Sequence, residues 1–314
     1  MSGEDGEIFP PGLQYGTLII GGYMERTNRP GWERGKISAE ADLSIITLMT
    51  DFGLKDGNVG VMKGVIWSIA PEAQIADLSH LIGAQNVAEA ALILVRSAPY
   101  FPPGSVHVVV VDPGVGTARR PIAARIGEHM YVLPDNGLLS LVLEKAEKEG
   151  LAIEIVHLDR PEHWLPEVSH VFHGRDIFAP VAAHLAQGVP LGMMGSRIED
   201  PLRLELPRPQ RTSGGMRGRI IHIDHFGNLA TNVRQEDLEG NQKLLVKLRG
   251  AEIPGLVRTF GERPVGELAA LLGSTGSLIV SEVNGSAARR LEAQVGDEVD
   301  VTFLDMQKNK EAGE

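Results

Sequence analysis

From residue 44 onward the chain alternates strand-sized apolar runs with segments of helical spacing, and this alternation limits the folds open to it more than any other feature. SIITLMT (44–50), QIADLSH (74–80) and SVHVVVVDPG (105–114) read as strands, the last one buried on both faces. Between them, NVGVMKGVIWSIA and NVAEAALILVRSA repeat apolar residues at helical spacing and stop at Pro71 and at Pro99 and Pro102. PIAARIG, HMYVLPD and AIEIVHL add shorter strands, and helices are predicted over 138–147 and 175–188. Such alternation predicts an α/β domain, a mostly parallel or mixed sheet covered by helices on both faces.

The pattern then changes. Residues 198–215, IEDPLRLELPRPQRTSGG, are rich in Pro, Gly and Arg and have no period, which is how a linker reads. GRIIHIDHFGNLATNV, KLLVKLRGAEI, GSLIVSEV and GDEVDVTFL follow as short strands between turn residues, predicting a smaller all-β domain. The expected division is an N-terminal extension at 1–42, an α/β domain at 43–200, a linker at 201–216, a β domain at 217–306 and a tail at 307–314, with the change of texture centred near residue 210.

Composition removes several function classes. The chain has no cysteine, which excludes disulfides, thiolate nucleophiles and Cys-ligated metal centres. A formal net charge of -11 without a basic stripe argues against nucleic acid or an anionic membrane as main partner. No apolar run approaches the roughly 18 residues of a membrane span. The first residues, MSGEDGEIFPPG, lack the regions of a secretory signal, so a soluble cytoplasmic protein is expected.

In open α/β sheets, ligands bind beyond the carboxyl ends of the strands. Asp51 and Asp112 stand at two such ends, each followed by glycine (Gly53; Gly114 and Gly116). Read from spacing alone, both are equally well turn or helix-cap aspartates. Neither a dinucleotide fingerprint nor a phosphate loop is present. Arg119 or Arg120 could fold back on Asp112, or both could be solvated. His170 and His173, or His222, Asp224 and His225, could ligate a metal, yet no third ligand of suitable spacing completes the first group. If Ile221 and Ile223 face the core, His222 and Asp224 point to solvent or a site.

Six motifs occur in order: Thr50-Asp51-Phe52-Gly53, Asp112-Pro-Gly-Val-Gly-Thr-Ala-Arg119, Pro134-Asp135-Asn136-Gly137-Leu138, Phe172-His173-Gly174-Arg175-Asp176, Phe226-Gly227-Asn228 and Asn284-Gly285-Ser286-Ala287. Together, over residues 44–303, they resemble the S-adenosyl-L-methionine (SAM) hydroxide adenosyltransferase family, relatives of the fluorinase and chlorinase. The resemblance implies an α/β N-terminal domain and a barrel-like β C-terminal domain. It also implies a homotrimer with active sites between subunits, and conversion of SAM and water into adenosine and L-methionine; because the sulfonium is already an activated leaving group, no cofactor or metal is expected. The family's Asp-Arg-His triad falls on Asp112, Arg119 and His173. Asp51 matches the aspartate that grips the ribose hydroxyls. Asp56 and Asp224 match acidic residues near the methionine ammonium, and Ser274 a serine at its carboxylate. Phe226 and Asn228 match residues at the adenine, as does the loop from Asn284 to Ala287, with Asn284 and Ser286 as its binding residues.

The halogenases lack the triad and carry an insertion absent here, and Asp112 stands where the fluorinase has a tyrosine. Thr275 and Gln85 depart from the fluorinase, which has an arginine and a tryptophan there. Two alternatives stand beside the hydrolase: a halide-using, chlorinase-like transferase and a non-catalytic SAM or adenosine sensor. A metal-dependent hydrolase built on the histidine clusters is a third.

Overall fold

The computed structural model describes residues 45–238 and 243–304; the extension assigned to 1–42 and the tail at 307–314 lie outside the described residues. The first part comprises β1 (Ile45–Thr50), α1 (Asn58–Ile69), β2 (Gln74–Ser79), α2 (Val87–Ser97), β3 (Val106–Val110), β4 (Pro121–Ile126), β5 (His129–Pro134), α3 (Ser140–Glu149), β6 (Ile153–His157), α4 (Ala179–Ala186) and β7 (Ser196–Arg197). The strands form one sheet in the order β2-β1-β3-β5-β4-β6-β7.

This sheet is mixed, which corrects the expectation of a mostly parallel one. β2, β1, β3 and β5 run parallel, whereas β4 pairs antiparallel with β5 and β6, and β6 with β7. The reason is local. Only Gly127 (φ +56°) and Glu128 separate β4 from β5, and so short a connection closes a hairpin but cannot make a crossover.

Helices cover both faces, as expected. Met62 and Ile66 of α1 and Val181 and Leu185 of α4 pack with Ile46, Val108 and Val110. Ala90 and Leu94 of α2 and Leu143 and Ala146 of α3 pack with Met49, Val109 and Leu133 on the other. β3, all valine apart from His107, is buried along its whole length, the environment that a β-branched run fits best. Helix α3 begins two residues later than predicted.

Residues 198–209 carry no regular structure. The second sheet comprises β8 (Gln210–Thr212), β9 (Gly215–Ile223), β10 (Leu229–Arg234), β11 (Leu244–Leu248), β12 (Ala251–Pro254), β13 (Leu268–Leu272), β14 (Ser277–Glu282) and β15 (Glu298–Phe303), with a short helix α5 (Ala287–Leu291) before β15. Its order is β12-β11-β15-β9-β10-β14-β13, with β8 beside β9, and every ladder is antiparallel. The outer strands approach each other just past β12, where the Val257 amide donates to the Ala270 carbonyl at 2.9 Å, so the sheet curls close to a barrel around Leu229, Val246, Val280 and Phe303. β13 (LAALL), which has no β-branched residue, and α5, which is shorter than two turns, are not among the elements expected from the sequence. Among the described residues no helix is long and apolar enough to cross a membrane.

Candidate active site

β1 and β3 are neighbours in register, Thr50 opposite Val110, so the chain leaves both strands at the same edge of the sheet. Asp51 and Asp112 therefore emerge side by side in fold terms although they are far apart in sequence. Arg119 returns to Asp112: its Nε donates to Oδ1 at 3.1 Å and its Nη2 makes a short contact with Oδ2. The two side chains are only 6% and 5% exposed, which makes this a buried, two-pronged ion pair. Phe178 lies beneath the guanidinium at 5.4 Å, adding a cation–π contact.

Arg119 Nη2 also reaches His173 Nδ1 at 3.1 Å. A guanidinium can only donate, so Nδ1 accepts and the neutral ring carries its proton on Nε2. Burial, then the Arg119 charge, holds the imidazole below the ordinary histidine range, with Asp112 and Asp176 opposing. The three residues expected as a triad thus meet around one guanidinium. The remaining nitrogen of Arg119, Nη1, is buried without a hydrogen-bond partner among the described residues.

Glycine is required in this loop. Gly116 has φ +75°, and a Cβ there would lie 2.2 Å from the His170 carbonyl oxygen. His170 thus meets the loop by its backbone. Past it, His173 opens one π-helical turn, Gly174–Phe178, that leads into α4. Asp176 is fully buried; it accepts from the Ser169 amide at 2.9 Å and pairs with Arg175.

The motif after β1 is held from below. Thr50 Oγ1 lies 2.9 Å from His80 Nδ1, the Gly53 amide donates to the His80 carbonyl, and His80 Nε2 lies 3.0 Å from Asp77. Phe52 meets Phe172 edge-on at 5.7 Å, joining the Asp51 turn to the His173 segment. Asp51 Oδ2 accepts the amide of Gln85, a residue at φ +61°, at 2.8 Å. Asp56 is exposed just ahead of α1.

A second cluster lies at one end of the β sheet. Asp224 Oδ1 accepts the amides of Phe226 and Asn228, each at 2.9 Å, and Oδ2 accepts from Asn228 Nδ2 at 2.7 Å. This closes the β9–β10 turn and leaves Phe226 72% exposed. Gly227 (φ +86°) packs so tightly that a Cβ would fall 2.0 Å from Ser286 Oγ, and its carbonyl accepts from Ala288. Ser286 caps α5, and Asn284 adopts φ +54°. Asp224, Phe226, Asn228, Asn284 and Ser286 are therefore brought together.

Ser274 is not among them. It sits exposed in the β13–β14 turn, at the opposite end of β14 from Asn284. His222 turns toward α2, 3.8 Å from Glu89, and is half-buried instead of facing open solvent. His225 stacks edge-on against Phe226. Among the described residues no three His, Asp or Glu side chains converge as a metal-ligand set. Asp135 and Asn136, part of the third motif, stand against the two ends of the 112–119 loop, a role that no local signal in the sequence marks.

The family model for the SAM hydroxide adenosyltransferase N-terminal domain matches residues 46–195, and that for its C-terminal domain matches 218–300. The chain belongs to the SAM hydroxide adenosyltransferase family. It is 40% identical over 263 residues to an (R)-S-adenosyl-L-methionine hydrolase from Salinispora arenicola, covering 82% of this chain and 97% of that protein. A fluorinase from an Actinoplanes species is 32% identical over 294 residues, covering 82% and 97%. Among solved structures, an uncharacterized conserved protein from Thermotoga maritima superposes with a TM-score of 0.76 at 36% identity, covering 82% of this chain and 99% of that one. The two family segments coincide with the two sheets: the first ends one residue before β7, and the second runs from within β9 into β15.

Proposed function

We propose that this SAM hydroxide adenosyltransferase hydrolyses SAM to adenosine and L-methionine. The observation that carries the reading is the buried contact of Asp112, Arg119 and His173 at the strand ends. In the reaction, a water oxygen bonds to ribose C5′ opposite sulfur, the C5′–S bond breaks, and its electron pair stays on sulfur as the thioether of methionine. One proton is released from the water. The sulfonium is already an activated leaving group, so no cofactor is invoked; the difficulty is water, with a pKa near 15.7 in bulk.

Arg119 Nη1, which has no hydrogen-bond partner among the described residues, is the guanidinium nitrogen left to hold the oxygen and stabilise developing hydroxide once substrate and water enter. Asp112 fixes the guanidinium and is the carboxylate of the cluster that can accept the proton. His173 is engaged at Nδ1, so the nitrogen it can offer the reacting water is Nε2, which serves as a donor in this tautomer. Asp51 has one oxygen on the Gln85 amide and the other available for a ribose hydroxyl.

The homotrimer with sites between subunits is part of the same proposal. Exposed Leu54, Leu81 and Val171 flank the Asp51 and His173 segments, and exposed Phe226 projects from the adenine-side cluster. A neighbouring subunit would cover this apolar rim, drying the site and strengthening its electrostatics. Mixing Asp112→Asn protein with Asn228→Ala protein should restore part of the activity if one site draws on two chains; no recovery after subunit exchange would place the site within one chain.

Incubation with SAM of defined sulfur configuration, followed by chromatography, tests the reaction. Adenosine and methionine in equal amounts are expected, unaffected by chloride. Bound but unchanged SAM would support the sensor, and chloride-dependent 5′-chloro-5′-deoxyadenosine the halide-using transferase.

A further inference from the structure

The Asp112–Arg119 pair depends on a loop whose two ends must be fixed. The β3–β5 ladder reaches Val108 opposite Val132, and the β1–β3 ladder reaches Val110, so the Val111 carbonyl lies beyond both. Asn136 Nδ2 donates to it at 2.9 Å, directly before Asp112. The other end of the loop returns through Arg120. Its carbonyl accepts the Asp135 amide at 2.9 Å, and its guanidinium meets Asp135 Oδ2 from Nε at 2.9 Å and from Nη2 at 2.7 Å. Asp135 is 2% exposed, and its second oxygen accepts the Leu202 amide at 2.8 Å. Arg120 reaches the same segment, donating to the Asp200 carboxylate and carbonyl at 2.9 and 2.8 Å.

We propose that Asp135 and Asn136 are positioning residues for the hydrolysis: the dipeptide staples both ends of the 112–119 loop and ties it to the chain leading into the β sheet. The proposal rests on the hydrolase reading for its kinetic consequence, but not for its structural one. Neither residue needs to touch substrate. An unstapled loop would let Asp112 and Arg119 shift together, and reacting groups displaced by about 1 Å lose roughly a hundredfold in rate.

Asn136→Leu keeps side-chain size and removes the donor. We expect kcat per folded enzyme to fall between about ten- and a hundredfold with KM for SAM nearly unchanged. In the same variant, the His173 ring proton followed by NMR should titrate closer to the ordinary histidine value, because Arg119 no longer sits against Nδ1. Val142→Ala, a core truncation in α3 that takes part in none of the staple's hydrogen bonds, should lower Tm while leaving kcat and the His173 midpoint as in wild type. If Asn136→Leu does not fold, Arg120→Lys keeps the charge but cannot bridge Asp135 and Asp200 as the guanidinium does, and should give the same two changes in smaller measure.

The proposal is overturned if the variant keeps the wild-type kcat and midpoint, or if it loses no more per folded enzyme than Val142→Ala. Should wild type leave SAM untouched, the hydrolase reading fails, and the NMR midpoint alone then decides whether the staple positions the cluster.

Discussion

Asp112→Asn removes a charge from the site without changing its volume. In the folded protein Arg119 donates to Asp112 from Nε and Nη2, and both side chains are about 95% buried. With asparagine the guanidinium keeps its charge in a place it cannot leave. Breaking one side of a buried pair costs about 3–5 kcal/mol. Here the asparagine oxygen can still accept one bond and His173 another, so the lower end, about 3 kcal/mol, is expected in urea unfolding. Turnover should fall further than stability explains. Loss of a positioned proton acceptor costs about 10²–10⁴ in rate. The assay is adenosine release at saturating SAM, normalised to the folded fraction, with SAM affinity measured by calorimetry. Affinity should change only a few-fold. A double variant with His173→Gln should lose much less than the product of the single losses, because both residues act through Arg119. Turnover of Asp112→Asn within tenfold of wild type would remove the carboxylate from the chemistry.

Three further outcomes are expected. Burial and the Arg119 charge hold His173 below the ordinary value near 6.5, so the ring is neutral throughout neutral pH and kcat/KM should show no histidine limb between about pH 6.5 and 8; a limb there that vanishes in His173→Gln would contradict this. Asp51→Ala should raise the SAM dissociation constant about ten- to a hundredfold, the worth of a charge-assisted hydrogen bond at about 1.5–3 kcal/mol, and an unchanged constant would count against contact with the ribose. Burial, then the charge of His129, pushes His107 down to about 3. Its folded value lies below the unfolded one, so stability is complete above about pH 6.5 and is lost as pH falls, while the unfolded chain binds the proton first. By pH 5 the loss amounts to about 2 kcal/mol, and His107→Gln should lack that share; identical pH dependence of urea stability in both proteins would refute the assignment.

Much of the architecture was legible because its signals are local. The helical spacing of 58–69 and 87–97 and the valine run of β3 need no distant partner to be recognised. The alternation left a mostly parallel and a mixed first sheet both open, and the two residues between β4 and β5, too few for a crossover, carry the signal that separates them. β13 was hidden because LAALL has the composition of a helix, and pairing with β14 and Val257 overrides that preference. In the site, glycines with a positive φ or a close approach, Gly116 and Gly227, mark the loops that had to be tight. Nothing local distinguished Arg119, paired with Asp112, from Arg120, paired with Asp135, or gave Asp135 and Asn136 a task.

The sequence by itself determined the order of strands and helices, the places where the chain turns, and which chemical groups are available at the strand ends. The tertiary structure decided which of those groups meet. His173 lies 54 residues from Arg119, yet its tautomer and its lowered proton affinity follow from a 3.1 Å contact and from burial. Charge interactions and desolvation depend on distance and exposure, and both quantities come into being only when the 112–119 loop, the strand ends and the α4 approach are packed together.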